Sequence, residues 1–392
     1  MALVTPATGL NPEVKQIYPI VNAIFKQMTG REDITAVDTA SLVSMGQEIE
    51  NLGKFDLYLN SLARRIGYTI DEYRVYKNKF ADLYRTQVEW GAMVQKLTVE
   101  MPEAVEDKMF DVGKMDGQSV DHYIINNPKV HQRIFDKETP YSYYITTQTK
   151  LLKRAFLSDS AMQALISQIF GKVNNKIEFT LEELARIAVV NFILNLKSVQ
   201  EFHLITMYNT LKGANLTGET ARFSADFLRY AVGQMNAVSK KMENMSILYN
   251  SDRFDRFTPR DQQRLYILAD FMTMCDTVTM YDAHNPQYIT ANPSNEVPYW
   301  QASGTTIDQN NWAAITGIKG SITNDKNGSV EVSKKNLIAL LFDREAIGTF
   351  REENEVLTTP VNARAAYYNT FWHENQLWFN DMSENGVAFY FD

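Results

Sequence analysis

The 392-residue chain is 45% hydrophobic and 22% charged, the balance of a globular protein with a large core, which excludes wholesale disorder. At roughly 100–200 residues per domain, this length predicts two or three domains. A formal net charge of −8 argues against general nucleic-acid binding, which needs a Lys/Arg surplus, and the single cysteine, Cys275, excludes an intramolecular disulfide and suits a reducing compartment.

The N-terminal "MALVTPATGLNPEV" lacks a basic stretch leading into an apolar one, and no run reaches the ~18 apolar residues of a membrane helix. The expectation is a protein soluble in the cytoplasm at synthesis, without membrane contact. Asn11-Pro12-Glu13 starts a helix, with Asn as cap and Pro at the first helical position, running to about Met28 and ending before Gly30. A second helix starts near Asp38, with Leu42, Met45, Ile49 and Leu52 on one face, and residues 54–70 continue as short helix. These stripes are narrow, so the segment reads as an arm that packs on something other than itself.

Residues 71–146 change character. "YRTQVEWGAMVQKLTVEMP" and "VHQRIFDKETPYSYYITTQ" are rich in β-branched and aromatic residues with partial alternation, and they flank a polar, turn-rich middle. That predicts an extended hairpin; the alternative is a small β-subdomain with one long loop. From Ser158 to Asn191, Met162, Leu165, Ile166, Ile169, Val173, Ile177, Leu181, Leu184 and Ala188 recur at helical steps. Gly171 and Asn174-Asn175 leave open two helices broken near Asn175.

Thr217–Met245 is a further helix capped by Thr217, with Phe223, Phe227, Ala231, Met235, Val238 and Met242 on its apolar face. "RLYILADFM" reads as a short strand, Asn327-Gly328 between alternating flanks as a hairpin turn, "NLIALLF" as a buried strand, and "DREAIGTF" as a short helix capped by Asp343. The last residues are dense in aromatics: Tyr368, Phe371, Trp372, Trp378 and Phe379, then Asn385-Gly386 turning into a strand Val387–Phe391. Strand and helix alternate here, giving an α+β fold.

Chemical signatures are sparse. The chain has no glycine-rich phosphate loop, no GxSxG elbow and no HExxH helix. His122, His131, His203, His284 and His373 are scattered, with no i, i+4 pair to aim two imidazoles at one metal. Cys275 in "ADFMTMCDTVTMY" reads as a buried thiol. Glu182-Glu183 and Glu352-Glu353 read as solvated faces. Arg74, Lys77, Lys79 and Arg85 interleave with Tyr73, Tyr76, Phe80 and Tyr84, and Lys150, Lys153 and Arg154 form a second group; diluted by Asp71, Glu72 and Asp82, they suit ion pairing between subunits. No catalytic, cofactor-binding or metal-ligating residue is assigned, no cofactor is expected, and the chain is not read as an enzyme.

The order of parts, together with "KKNLIALLFDREAIGTF" followed by "ARAAYYNTFWHENQLWFNDMSENGVAFYF", resembles the major capsid proteins of tailed, especially short-tailed, bacteriophages, the Hong Kong 97 capsid fold. The resemblance implies a helical arm at 1–70 whose first sixty residues embrace a neighbouring subunit, an extended hairpin loop at 71–146 that lies over another, a peripheral domain with a spine helix at 147–199, an axial domain at 200–330, and a C-terminal return at 331–392 to the axial and peripheral sheet. It implies a subunit that assembles with itself into pentamers and hexamers of an icosahedral or prolate shell around double-stranded DNA, contacted non-specifically. A separate scaffolding protein, a portal and decoration proteins are the implied partners, with the virion as final location and the host cytoplasm as the place of assembly. Lys114 lies in the hairpin, but with no catalytic carboxylate to assign, Lys–Asn crosslinking is not expected. Two alternatives stand beside this: an encapsulin-like nanocompartment shell of the same fold, and a carbohydrate-active enzyme or binding module using the C-terminal aromatics.

Overall fold

The computed structural model describes residues 17–30, 35–52, 76–85, 94–102, 104, 123, 125, 127–136, 138–150, 171–280, 295–301, 308, 310–324, 328–351 and 355–392. The chain divides into two compact units. One is drawn from Met1–Trp90, Glu138–Ala185 and Thr349–Leu377, the other from Gly91–Lys137, Arg186–Gly348 and Trp378–Asp392.

In the first unit, helix Ile17–Thr29 stops where Gly30 takes φ +70°, its N–H donating to Lys26 O at 2.9 Å. That is the left-handed stop a glycine supplies without a Cβ penalty. Helix Thr39–Asn51 starts on a reciprocal cap: Asp38 Oδ1 accepts from Ser41 N (2.8 Å) and Ser41 Oγ accepts from Asp38 N (3.0 Å). Asn22 fixes the approach between the two helices, donating to Ala36 O and accepting from Ala36 N. Val21, Ile24, Phe25, Leu42, Met45 and Ile49 are fully buried and cluster with Val173, Ile177 and Leu181 of the long helix and with Tyr368 and Trp372. The resemblance implies an arm laid on a neighbouring subunit, but the described helices of this segment pack on residues of their own chain, because Val173, Ile177, Leu181, Tyr368 and Trp372 complete their narrow apolar stripes.

A three-stranded antiparallel sheet completes that core, in the order β11 (Glu355–Thr358), β12 (Tyr367–Glu374), β3 (Tyr141–Gln148). β3 comes from the segment predicted as the second flank of the hairpin. Only its first part, β2 (Val130–Phe135), pairs with β1 (Val94–Val99). The Lys137–Pro140 stretch between them interrupts the alternation, so the flank is two strands in two sheets. The turn-rich 105–122, with Lys114, lies outside the described residues, as do the predicted helix start at Asn11-Pro12-Glu13, residues 54–70 and residues 158–170 of the predicted spine helix.

The described part of that helix, Gly171–Leu194, runs through Asn174-Asn175 without a break. Asn175 uses its side chain outward, accepting from Tyr76 N at 3.0 Å, rather than competing for its own backbone. Past Ala185, burial spreads around the helix: Arg186, Ala188, Val189, Val190, Phe192, Ile193 and Leu194 are all buried. The helix end is closed by Lys334, whose Nζ donates to Ile193 O (2.7 Å) and pairs with Glu201 (2.6 Å), a cation on the negative end of the helix.

The second unit is built on a mixed five-stranded sheet in the order β4 (Glu201–His203), β14 (Gly386–Tyr390), β9 (Leu337–Asp343), β5 (Gln263–Leu268), β6 (Asn295–Val297). β14 runs parallel to β4 and antiparallel to β9, and both β9 and β14 are buried at every residue. That is why "NLIALLF" is an unbroken apolar run rather than an alternating one. After Leu268 the chain turns directly into helix Ala269–Met280, so "ADFM", expected to extend the strand, is helical. β7 (Ile318–Asn324) and β8 (Gly328–Lys334) form the hairpin expected around Asn327-Gly328, closing at Asn324↔Gly328. β10 (Ile347–Arg351) and β13 (Gln376–Asn380) make a further two-stranded sheet.

Two helix predictions are corrected. Thr217 caps only Gly218–Ala221, and Ser224 starts a new helix, Ala225–Met242, its Oγ accepting from Phe227 N. Phe223, in the break, is 85% exposed, while Phe227, Ala231, Met235, Val238 and Met242 are buried as expected. "DREAIGTF" is a turn leading into β10. The Asp343 carboxylate accepts from Glu345 N (2.8 Å) and Thr258 Oγ1 (2.7 Å), which closes a single turn before the β-branched Ile347 and Thr349 enter extended structure.

The aromatic tail is core. Phe391 meets Phe227, Trp312 and Phe271 edge to face, at 5.4, 5.4 and 6.1 Å between ring centroids. Beneath β14, a Cβ added at Gly386 would sit 2.5 Å from the ring of Phe192, which is itself fully buried. Gly386→Ala is therefore expected to lower stability by about 1–3 kcal/mol through overpacking. The shift of the urea midpoint, at unchanged slope, measures it.

Candidate assembly surfaces

The β1–β2 hairpin is inside out. Alternation gives it two faces, and the register places Val94, Lys96, Thr98, His131, Arg133 and Phe135 on the half-buried one. The other face carries Leu97 (61% exposed), Val99, Val130 and Ile134 (53%), with Val99 directly opposite Val130. A hairpin lying on its own body ordinarily turns apolar residues inward and polar ones to water. Here Lys96 and Arg133 are turned to the subunit beside Val94 and Phe135, while Leu97, Val99, Val130 and Ile134 are left exposed beside Gln95 and Gln132.

The inward face is tied to the second unit by ions and rings. Lys96 and Arg133 are direct cross-strand partners, a like-charge pair that repels unless something sits between them. Asp381 does so, its side chain fully buried: Lys96 Nζ lies 2.7 Å from Oδ2 and Arg133 donates to Oδ1 at 3.0 Å. Glu384 takes the other side of Lys96 at 2.5 Å and faces Arg256 at 3.5 Å, and Arg133 also pairs with Asp252. Burial alone would raise the Asp381 carboxyl above its ordinary range, but the bonds from Lys96 and Ser383 hold it below. Phe135 packs on Phe379 (5.2 Å) and His131 on Phe254 (4.9 Å), with His131 also 2.7 Å from Glu100.

The three-stranded sheet of the first unit has a second uncovered row. Register aligns Val356, Trp372 and Tyr143 on one face, against the helical core, and Leu357, Phe371 and Tyr144 on the other. In the outer row Tyr144 is 72% exposed, Phe371 lies 6.2 Å from it, and His373 stacks on Phe371. Of the aromatics weighed as a sugar platform, Tyr368, Trp372 and Phe379 are spent in cores.

The residues singled out for chemistry are dispersed. His203 bonds Asp392 (2.6 Å) and stacks on Tyr390; His122 and His284 lie outside the described residues. Among the described residues, no group of three or more His, Cys, Asp or Glu could hold a metal ion. Glu182, read from sequence as solvated, is buried and accepts from Tyr76 Oη (2.7 Å) and Lys79 N (3.3 Å), so it anchors segment 76–85. Arg85 lies over the Phe350 ring; Arg74, Lys153, Arg154 and Glu352-Glu353 lie outside the described residues. Cys275 is buried, and burial, aided by Asp276, pushes its thiol up to about 12. A disulfide reagent at pH 8 is accordingly expected to leave Cys275 unmodified in the folded chain and to modify it fully in denaturant. Rapid native labelling would place the thiol at the surface.

Two sheet faces of the described residues leave apolar side chains exposed, and comparison with solved structures places the fold that carries them. The capsid of Staphylococcus phage Andhra is similar over 81% of this chain and 84% of that one, at 12% identity and a TM-score of 0.51, which shows the Hong Kong 97-type fold of phage capsid proteins. The capsid of Cyanophage P-SCSP1u (12% identity, 82% and 90% covered, TM-score 0.48) and the mature capsid of bacteriophage PhiM1 (9%, 82% and 89%, 0.43) are also matched. The model of the Phi29-like phage major capsid protein family matches residues 21–390, and the chain belongs to that family. It is a structural, non-enzymatic protein of the virion. No curated protein matches it.

Proposed function

We propose that copies of this chain associate through their uncovered sheet faces into rings of five and six that close into an icosahedral or prolate shell around double-stranded DNA. The observation that carries this is the inverted hairpin: Leu97, Val99, Val130 and Ile134 face water while Lys96 and Arg133 face the subunit. Covering each such side chain contributes roughly 1.5–3 kcal/mol, an amount a second copy supplies by laying its own surface across them. Identical subunits meeting through non-identical patches generate closed rings. Each contact can be individually weak, because several contacts per subunit act together.

The net charge of −8 suits an inner wall that does not grip DNA, so any contact with the packaged duplex is non-specific. A separate scaffolding protein, a portal and decoration proteins complete the assembly, which proceeds in the host cytoplasm before the subunit becomes part of the virion of a short-tailed phage. The purified chain, alone and with a co-expressed scaffolding protein, is expected to give capsomer rings, tubes or shells by size-exclusion chromatography and negative-stain microscopy. A compact monomer at every concentration, with and without scaffold, would overturn the reading.

A further inference from the structure

We infer that Asp381 is a latch that holds the hairpin in one orientation on its own subunit, and thereby sets the direction in which the apolar face meets the next copy; the second half of this rests on the shell reading above. Of the three carboxylates that meet the hairpin's Lys96 and Arg133 among the described residues, Asp252, Asp381 and Glu384, Asp381 is the one that meets both strands. Oδ1 of Asp381 accepts from Arg133 Nη1 on β2, from Ser383 N (3.0 Å) and from Ser383 Oγ (2.7 Å), while Oδ2 faces Lys96 on β1. Asp381 N donates in turn to Ala346 O at 2.7 Å, so the carboxylate is fixed to the body behind it. One side chain thus grips both strands at the same register position and cancels the repulsion between the two cations it separates.

The other contacts of the inward face each hold one strand. Phe135 on Phe379 and His131 on Phe254 are the ring contacts, and the remaining fastenings are charged or polar: Lys96 to Glu384 (2.5 Å), Arg133 to Asp252, and Arg256 to Thr98 Oγ1 (2.9 Å) and Glu384. A segment held mainly by charges detaches without opening an apolar core. Once detached, it is an isolated two-stranded hairpin, which is marginal in water, so its ladder hydrogen bonds open as well.

Asp381→Asn tests this directly. It keeps the size and Oδ1 but turns an NH2 group toward Lys96, replacing attraction by a donor facing a cation. In unassembled subunits, amide exchange in β1 and β2 is expected to be on the order of a hundredfold faster, with β9 and β14 unchanged. Lys96→Gln added to Asp381→Asn removes the like-charge pair and gives the new amide an acceptor, and is expected to recover most of the protection; an additive result would overturn the latch. Hairpin exchange equal to wild type in Asp381→Asn would also overturn it, as would loss of protection in β9 and β14 to the same degree, since Asp381 would then be a general fold determinant. In assembly, Asp381→Asn is expected to give irregular shells or tubes where wild type gives uniform ones, and uniform shells with a freed hairpin would overturn its part in shell geometry. Wild type that never assembles would overturn the shell reading, while the exchange result would still decide the latch.

Discussion

Replacing Leu97 and Ile134 together by Glu yields a subunit that folds as well as the wild type and forms no shells. Both side chains are more than half exposed in the single subunit, so the change costs little there, within about 0.5 kcal/mol on the scale of ordinary surface substitutions. Under a neighbouring copy each carboxylate would be stripped of water with no partner, at roughly several kcal/mol per contact. Because every copy repeats the fault, assembly is lost rather than weakened. Thermal melts of the variant alongside negative-stain images read both halves of the outcome. Normal shells would mean that the outer face of the hairpin takes no part in assembly.

Phe25→Ala is expected to destabilise the unassembled subunit by about 3–5 kcal/mol, the range for removing a buried aromatic ring. Phe25 is fully buried in a cluster with Val173, Ile177, Leu181, Tyr368 and Trp372. The result separates two placements of the N-terminal helices. If they cover their own chain, urea unfolding of the isolated subunit registers the full loss. If they covered only a neighbour, the isolated subunit would lose less than about 1 kcal/mol, and the defect would appear only in shells.

Local signals were legible in the sequence where one side chain decides. Asp38 with Ser41, the glycine at position 30, the buried run of β9 and the hairpin of β7 and β8 each follow from a cap, a positive φ, a burial pattern or a turn. Reading failed where a tertiary partner took the deciding group. Asp343 looks like a helix cap until Thr258 and Glu345 claim its carboxylate, and Ser224 ends one helix by starting another. The N-terminal stripes looked too thin because the surface completing them comes from Val173 to Leu181 and from β12, far along the chain.

The proposed assembly surface was half legible. Alternation in β1 and β2 separates Leu97, Val99, Val130 and Ile134 from Lys96 and Arg133, but period alone does not say which face meets the body. The habit of turning apolar residues inward gives the wrong answer. Asp381 carries no sequence signal at all: it lies nearly 250 positions beyond Arg133 along the chain, in "NDMSEN", and only the folded register brings them together.

The position of β14 imposes an order in time. It lies inside its sheet, between β4 and β9, and its pairing with β4 joins residues 187 positions apart. Until residues 386–390 have left the ribosome, β4 and β9 have no strand to join them, and pairing over such a span is slow. A translation product cut short before that strand cannot close the sheet, so aborted chains are left for proteolysis rather than built into particles.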